Sequence, residues 1–302
     1  MNTKDLKKQF KLRDRVIRVL SKDGNIRASV IKNSNSAIEA QNRHNLDFIS
    51  ATLLARLMTG ATLYSSFLKG EERVIMEMEG NGPISKLYAE ALSVGEVRAY
   101  VELRDQINSE NFSGFRDAIG VGLLKVSKIL YNKNTPIEGI VPIEKGDVAT
   151  DLAYYFTQSE QIPTAVLFDE VISDDGKIIH SGGIIVQALP GADENDLVEI
   201  SQKLKNECNL KELLKQEYLP EEILNIILPF DFDTVKNTQT DFYCRCSKDH
   251  FKEKLITLGH IELEDMKEKG HKELVCKYCN EHYLLEDSDF DEIISTSKAS
   301  VN

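Results

Sequence analysis

Four of the five cysteines in this 302-residue chain lie in two close pairs, Cys244-Arg-Cys246 and Cys276-Lys-Tyr-Cys279. Two pairs divided by one intervening segment have the spacing of a four-thiolate metal site. Zinc suits such a site, because Zn²⁺ takes tetrahedral thiolates at about 2.3 Å and has no redox chemistry of its own. In an extended backbone residues i and i+2 face the same side, so Cys244 and Cys246 reach one ion together. The second pair is a Cys-x-x-Cys knuckle, a tight turn that gathers two sulfurs round a common centre. His250, His260, His271 and His282 lie close in sequence and are alternative ligands, but the cysteines already fill a set of four.

The same residues permit a second chemistry. A metal-bound thiolate is deprotonated, and the thiolate is the form that attacks oxidants. Oxidation would join the sulfurs as disulfides, remove the ligands and release the ion. Cys276 and Cys279 suit a short-loop disulfide, whereas Cys244 and Cys246 need a local bend, since an extended i, i+2 pair sits near the upper Cα separation a disulfide tolerates. On spacing alone a permanently closed structural site is favoured over a reactive one. Cys208 stands apart from both pairs and reads as a buried or incidental thiol.

Composition narrows the classes. With 41% hydrophobic and 28% charged residues the chain is of ordinary globular type. A net charge of −12 and a pI of about 5.1 argue against nucleic-acid binding as the main activity, which needs clustered Lys and Arg. The opening MNTKDLKKQFKLRDR is charged and never reaches the apolar run of a secretory signal. Arg56 and several Thr and Ser interrupt the apolar stretch Ala51–Leu68, so no membrane span is expected. A cytoplasmic setting follows, and there paired cysteines read as metal or redox sites.

The elements that must position these cysteines follow from periodicity. Arg15–Ser21 and Ile26–Lys32 are β-rich runs joined by a Lys-Asp-Gly-Asn turn, a hairpin. Residues 1–14 form a charged extension. Asn45 or Asp47 caps a core helix through Ile49, Leu53, Leu57, Met58, Ala61 and Leu68, stopped at Lys69-Gly70, with Gly60 marking close approach to a neighbouring backbone. Val74–Met78, Leu87–Ala91 and Val97–Val101 alternate as an antiparallel meander. Gly120-Val-Gly122 resembles a phosphate loop but lacks the remaining residues of either fingerprint, and reads as a turn entering a strand. Asp147–Gln158 is a helix, and Thr164–Ile172 with Lys177–Ala188 a second hairpin. The expectation is an α+β core domain over 1–191, a largely antiparallel sheet with packed helices.

From Ala192 the pattern turns helical, with apolar stripes at Leu197, Ile200, Leu204, Leu210, Leu213, Leu214, Ile223, Leu224 and Ile227, broken at Pro220 and Pro229. Such helices need a surface to lie on. Residues 192–238 therefore read as a helical linker: either an ordinary packed connector or a conditionally stable segment whose stripe can bind other unfolded chains. Residues 239–302 form a small zinc-binding domain, with short helices at His250–Leu258 and Glu262–Lys269 and an acidic, Ser/Thr-rich tail from Asp287 expected to fray.

At this point the chain resembles the heat-shock protein 33 family of redox-regulated chaperonins over nearly its whole length. The resemblance is carried by Phe242-Tyr-Cys-Arg-Cys-Ser247 with Val275-Cys-Lys-Tyr-Cys-Asn280. Gly80-Asn-Gly-Pro-Ile, Gly95-Glu-Val-Arg-Ala-Tyr, Gly120-Val-Gly-Leu-Leu-Lys-Val, Ser159-Glu-Gln-Ile-Pro163 and Gln187-Ala-Leu-Pro-Gly191 support it. The charged extension and Cys208 fall outside the family pattern. The resemblance implies an ATP-independent holdase, not an enzyme. In the reduced form Cys244, Cys246, Cys276 and Cys279 would hold one Zn²⁺ and the chaperone would be inactive. Oxidants would form disulfides Cys244–Cys246 and Cys276–Cys279, release zinc and unfold the adjoining linker. The implied partners are unfolding client proteins and, when oxidised, a second copy of the chain.

Two other classes compete. A constitutive zinc-ribbon adaptor for a protein or nucleic acid predicts a basic, aromatic-studded face, yet Asp249, Glu253, Glu262, Glu264 and Asp265 mix with the lysines there. A zinc or cysteine enzyme needs an open coordination position or a nucleophile–base constellation, and four thiolates leave no such position. Ser159-Glu160 suggests acid/base work but is more simply a helix-end turn.

Overall fold

In a computed structural model of the chain, residues 13–105, 107 and 114–300 are described. They divide into two compact units, Met1–Tyr243 and Cys244–Asn302. Of the charged extension, residues 1–12 lie outside the described residues.

The first unit holds two sheets. Strands β1 (Arg15–Ser21), β2 (Ile26–Lys32), β8 (Thr164–Ile172), β9 (Ile178–Ala188) and β10 (Phe232–Gln239) form a five-stranded antiparallel sheet in the order β10-β1-β2-β9-β8. Strands β3 (Arg73–Gly80), β4 (Ile84–Leu92), β5 (Glu96–Leu103), β6 (Gly122–Ile129), β7 (Ile137–Pro142) and the two-residue β11 (Asp241–Phe242) form the other, ordered β11-β5-β4-β3-β6-β7. The expected α+β class is correct; the sheet is two sheets, with β11 running parallel to β5.

Helix α1 (Ser34–His44) follows β2, and α2 (Phe48–Ser65) follows it closely. The Asp47 side chain caps α2, accepting from the N–H groups of Ile49 and Ser50. This helix is apolar nearly all round, and it is buried nearly all round. Val16, Ile31 and Ile185 from one sheet and Val74, Met76 and Leu124 from the other join its Leu53, Leu57 and Met58 in one core. The hydroxyls of Thr52, Thr59 and Thr62 bond to carbonyls four residues back, which keeps them satisfied in that core. Gly60 meets side chains rather than backbone: an ideal Cβ there would lie 3.0 Å from Leu152 Cδ2 and 3.4 Å from Phe168 Cζ. Short α3 (Phe115–Ile119) and α4 (Val148–Gln158, capped by Asp147) complete this part.

The opposite face of the five-stranded sheet is covered by α5 (Glu194–Asn206), α6 (Leu210–Lys215) and α7 (Pro220–Ile227). Pro220 does not break a helix but opens one, at a position where its missing N–H costs nothing. Ile200, Leu204, Leu210, Leu214, Ile223, Leu224 and Ile227 pack on Ile17, Val19, Val30, Ile184 and Val186. The approach is tight at Gly182, where an ideal Cβ would lie 2.9 Å from a methyl of Leu214.

Besides α3, β7 and β11, two further elements of this unit have no counterpart in the sequence expectation. The first is β10, a polar strand pairing with β1 over Arg15↔Gln239 to Ser21↔Phe232. It runs almost directly into β11, so one segment is bonded into both sheets: Asp241 N–H donates to Gly95 O at 3.0 Å and Tyr243 N–H to Val97 O at 2.8 Å. Gly95 has φ +102, and an ideal Cβ would lie 1.9 Å from Gln239 O, so glycine is required where the segment crosses. The second is α1.

The second unit contains α8 (Lys248–Ile256), α9 (His260–Glu268), the hairpin β12 (Glu273–Val275)/β13 (His282–Leu284) and α10 (Asp287–Ser300). The expected frayed tail is instead α10: Phe290 and Ile293, three apart on one helical face, are buried with Leu263 and Leu285.

Candidate metal centre

Cys244 and Cys246 occupy non-helical backbone that ends at Ser247, whose hydroxyl caps α8 by accepting from the His250 N–H. Cys276 and Cys279 stand on the turn that joins β12 to β13. That knuckle is closed by two bonds, Asn280 N–H to Cys276 O at 2.7 Å and Cys276 N–H to Glu281 O at 2.8 Å. Asn280 takes the left-handed conformation, φ 55°, that such a reversal needs.

The four sulfurs predicted as ligands are brought together, all within 4.8 Å of one another. The Cys244 and Cys276 sulfurs are 3.8 Å apart and those of Cys246 and Cys279 3.3 Å apart, so these close approaches cross between the motifs. Thiolates at about 2.3 Å around a tetrahedral ion stand about 3.8 Å from one another. The cluster has that scale and fits a tetrahedral metal. Cys276 and Cys279 are buried while Cys244 and Cys246 keep a partly open side.

The environment perturbs the thiols unequally. Burial pushes the Cys244 and Cys279 thiols up, and neighbouring sulfurs add to the effect. Burial opposes ionisation of Cys246 as well, but contacts with the Tyr283 hydroxyl and the other cysteines outweigh it and hold this thiol below its ordinary value. Tyr283 Oη lies 3.2 Å from Cys246 Sγ, and its ring packs on Phe251 with centroids 5.5 Å apart. Tyr283 escaped the sequence reasoning; its position four residues beyond Cys279, on the strand leaving the knuckle, was the available signal.

The alternative ligands are engaged elsewhere or lie outside the cluster. His282 Nδ1 is 2.7 Å from Glu273 Oε1, and His250 Nδ1 is 3.9 Å from Glu253. Cys208, in the link between α5 and α6, packs half-buried against the core, and burial raises its thiol to about 11. Glu160 is an ion-pair partner, its two oxygens each 2.8 Å from Lys128 Nζ and one also 2.8 Å from Tyr155 Oη. Gly122 opens β6 against Glu79, as the turn-into-strand expectation holds.

Comparison with known proteins agrees with this arrangement. The family profile described as Hsp33 protein matches residues 14–286. The 33 kDa chaperonin of Bacillus velezensis is 34% identical over 285 residues, 93% of this chain and 98% of that one. The 33 kDa chaperonin of Thermotoga maritima is 34% identical over 276 residues, 90% of this chain and 94% of its own. The crystal structure of the Thermotoga maritima protein superposes with a TM-score of 0.85 at 30% identity, covering 95% of this chain and 99% of that one. With the motif, the thiol cluster and the whole-chain match in place, the chain belongs to the Hsp33 family of redox-regulated chaperones.

Proposed function

We propose that this chain is an ATP-independent holdase, inactive while reduced and holding one Zn²⁺ per chain, and switched on by oxidation of Cys244, Cys246, Cys276 and Cys279. The single observation that carries the reading is the gathering of those four sulfurs within 4.8 Å. Bound zinc would keep the sulfurs as thiolates and supply folding free energy. A closed four-thiolate set has no position for a catalytic water, which supports a binding protein rather than an enzyme.

The switch follows from what these residues lose. Conversion to disulfides Cys244–Cys246 and Cys276–Cys279 removes every donor from the site. The second unit then depends on a small core of Leu263, Leu285, Phe290 and Ile293, too little to hold so short a unit without a staple. Cys244 directly follows the β10–β11 segment, and β11 is only two residues long. Unfolding past Cys244 would peel first β11 and then β10. Helices α5–α7 precede that segment in the chain, and their release would bare Ile200, Leu214, Ile223 and Ile227 to unfolding clients. The oxidised form, with this apolar surface open, would pair as a homodimer. No helix among the described residues is long and apolar enough to cross a membrane, and we place the protein in the cytoplasm under oxidative stress.

The test treats reduced, zinc-loaded protein with peroxide or hypochlorite, follows zinc with a chromogenic chelator, and assays suppression of client aggregation on the same samples. Zinc loss and aggregation suppression should rise together. Retained zinc, or zinc loss without client binding, would leave a constitutive structural zinc domain as the function of the site.

A further inference from the structure

We propose that Tyr283 is a positioning residue of the metal centre: its phenol hydroxyl donates a hydrogen bond to the Cys246 sulfur and restrains that sulfur's attack on oxidants. The inference rests on the four-thiolate reading above and adds to it a control on reaction rate.

Tyr283 Oη stands 3.2 Å from Cys246 Sγ and 3.2 Å from the Cys246 carbonyl oxygen, and its one proton is shared between these two acceptors. A metal-bound thiolate carries no proton, so the phenol is the only possible donor between these two groups. The hydroxyl is not held there by the sulfur alone. Strand β13 fixes its backbone through the Leu274↔Tyr283 pairing, and the Phe251 ring packs on its ring at a 48° tilt. Phe251 in turn is fixed to the ligand loop, its N–H donating to Ser247 O at 3.1 Å, one residue beyond Cys246. Donor and acceptor are thus set by packing, as the partners that orient metal ligands commonly are.

Two other sulfurs receive their donors from the main chain, Cys244 from the Cys246 N–H and Cys279 from the Glu281 N–H. Those bonds belong to the loop fold and survive any side-chain change. The donor to Cys246 is a side chain, so its strength can be altered without altering the knuckle.

The chemistry gives the direction. When the Cys246 sulfur attacks a peroxide, an S–O bond forms, the O–O bond breaks and hydroxide leaves. Sulfur loses two electrons to the peroxide and, taking up its OH, becomes a sulfenic acid. A neighbouring thiolate, that of Cys244, then displaces hydroxide and the S–S bond closes. Negative charge on sulfur falls during the first step. A hydrogen bond to that charge is stronger in the resting thiolate than in the transition state, and so it raises the barrier.

The experiment compares the full-length protein with Tyr283→Phe, which keeps the ring against Phe251, and with 3-fluorotyrosine at position 283, a stronger donor. Each is loaded with cobalt(II), and sulfur-to-cobalt charge-transfer bands report electron density on the thiolates. Iodoacetamide alkylation of each cysteine is timed by peptide mass spectrometry. Tyr283→Phe should move the bands to lower energy and speed Cys246 alkylation about five- to tenfold over the other ligands, the scale of part of one charge-assisted hydrogen bond. Peroxide-driven metal release should quicken with it, and 3-fluorotyrosine should slow both. Unchanged bands and rates across the series would overturn the proposal while leaving the four-thiolate site standing. Failure of the unaltered protein to bind one cobalt with thiolate bands would remove the underlying reading and this inference together. If Tyr283→Phe alone loses cobalt, the 3-fluorotyrosine protein decides: slower alkylation of Cys246 supports the proposal, and an unchanged rate overturns it.

Discussion

Glu221, in the first turn of α7, faces Arg15 at the start of β1 with both carboxylate oxygens, 2.8 and 2.6 Å from Nη2. The Arg15 side chain is only 6% exposed, while that of Glu221 is 45% exposed. A cation this deeply buried depends on its carboxylate, and the carboxylate belongs to the helical layer that the proposed switch must release. Glu221→Gln should weaken the docking of α7 by about 1–2 kcal/mol, discounted for the open side of the pair. Hydrogen exchange across 210–228 should quicken in the reduced protein, with some aggregation suppression before any oxidant is added. An exchange profile identical to the parent would show that the apolar contacts alone hold the layer.

Replacing any one ligand cysteine with serine should abolish stable metal binding, because three thiolates and a hydroxyl no longer match the soft four-sulfur set. Metal content by mass spectrometry should fall well below one per chain for Cys244→Ser, Cys246→Ser, Cys276→Ser and Cys279→Ser. Near-ultraviolet signals from the second unit should broaden in the same samples. A variant that kept a full metal complement would remove its cysteine from the ligand set.

Cys208 gives the opposite expectation. With its thiol raised to about 11 by burial, the reactive thiolate is on the order of one part in 10⁴ at neutral pH. Its alkylation in the folded protein should be slow at pH 7 and climb about tenfold per pH unit toward 11. Cys208→Ser should leave peroxide-driven metal release unchanged. A change in that release would bring Cys208 into the redox chemistry.

How much of this was legible beforehand depended on where each element's partners lie. The hairpin Arg15–Lys32, the meander from Val74 to Val101 and the capped helix behind Asp47 carry local signals, a period of two or of 3.6 and a turn or cap to end it. The thiol cluster was legible because spacing and chemistry both restrict the choices. By contrast β10, Phe-Asp-Thr-Val-Lys-Asn-Thr-Gln, is mostly solvent-facing, and what makes it a strand is β1, more than 200 residues away. α10 has the acidic, Ser/Thr-rich composition of a tail, and what fixes it lies elsewhere in the unit: Phe290 and Ile293 pack on Leu263 and Leu285, and Asp289 pairs with Lys248 and Lys252. Phe290→Ala should therefore cost about 3–5 kcal/mol in the second unit and lower its melting temperature in the metal-loaded protein. An unchanged melt would make α10 an ornament rather than part of the core.

Glu170 on β8 provides a test by pH. Its Oε2 accepts from Arg56 Nε at 2.9 Å, but Oε1 is buried with no hydrogen-bond partner among the described residues. Burial lifts the carboxyl from 4.5 to about 7, with Arg56 opposing and Asp169 and Asp147 adding to the rise. The folded state thus holds a proton that the unfolded state has released, and folding is favoured by acid. The contribution is complete below about 4.5 and is lost as pH rises through about 7. Asp14, lifted from 3.8 to about 6 chiefly by burial while it accepts from the N–H groups of Asn35 and Ser36, slopes the same way. Glu170→Gln separates the two, since it keeps an oxygen for Arg56 and cannot ionise. In denaturant titrations of the reduced protein between pH 5 and 8, the variant's stability relative to the parent should improve as pH rises to about 7 and level off above it. A difference that stays constant across that range would mean that Glu170 is already ionised at pH 5, held so by Arg56.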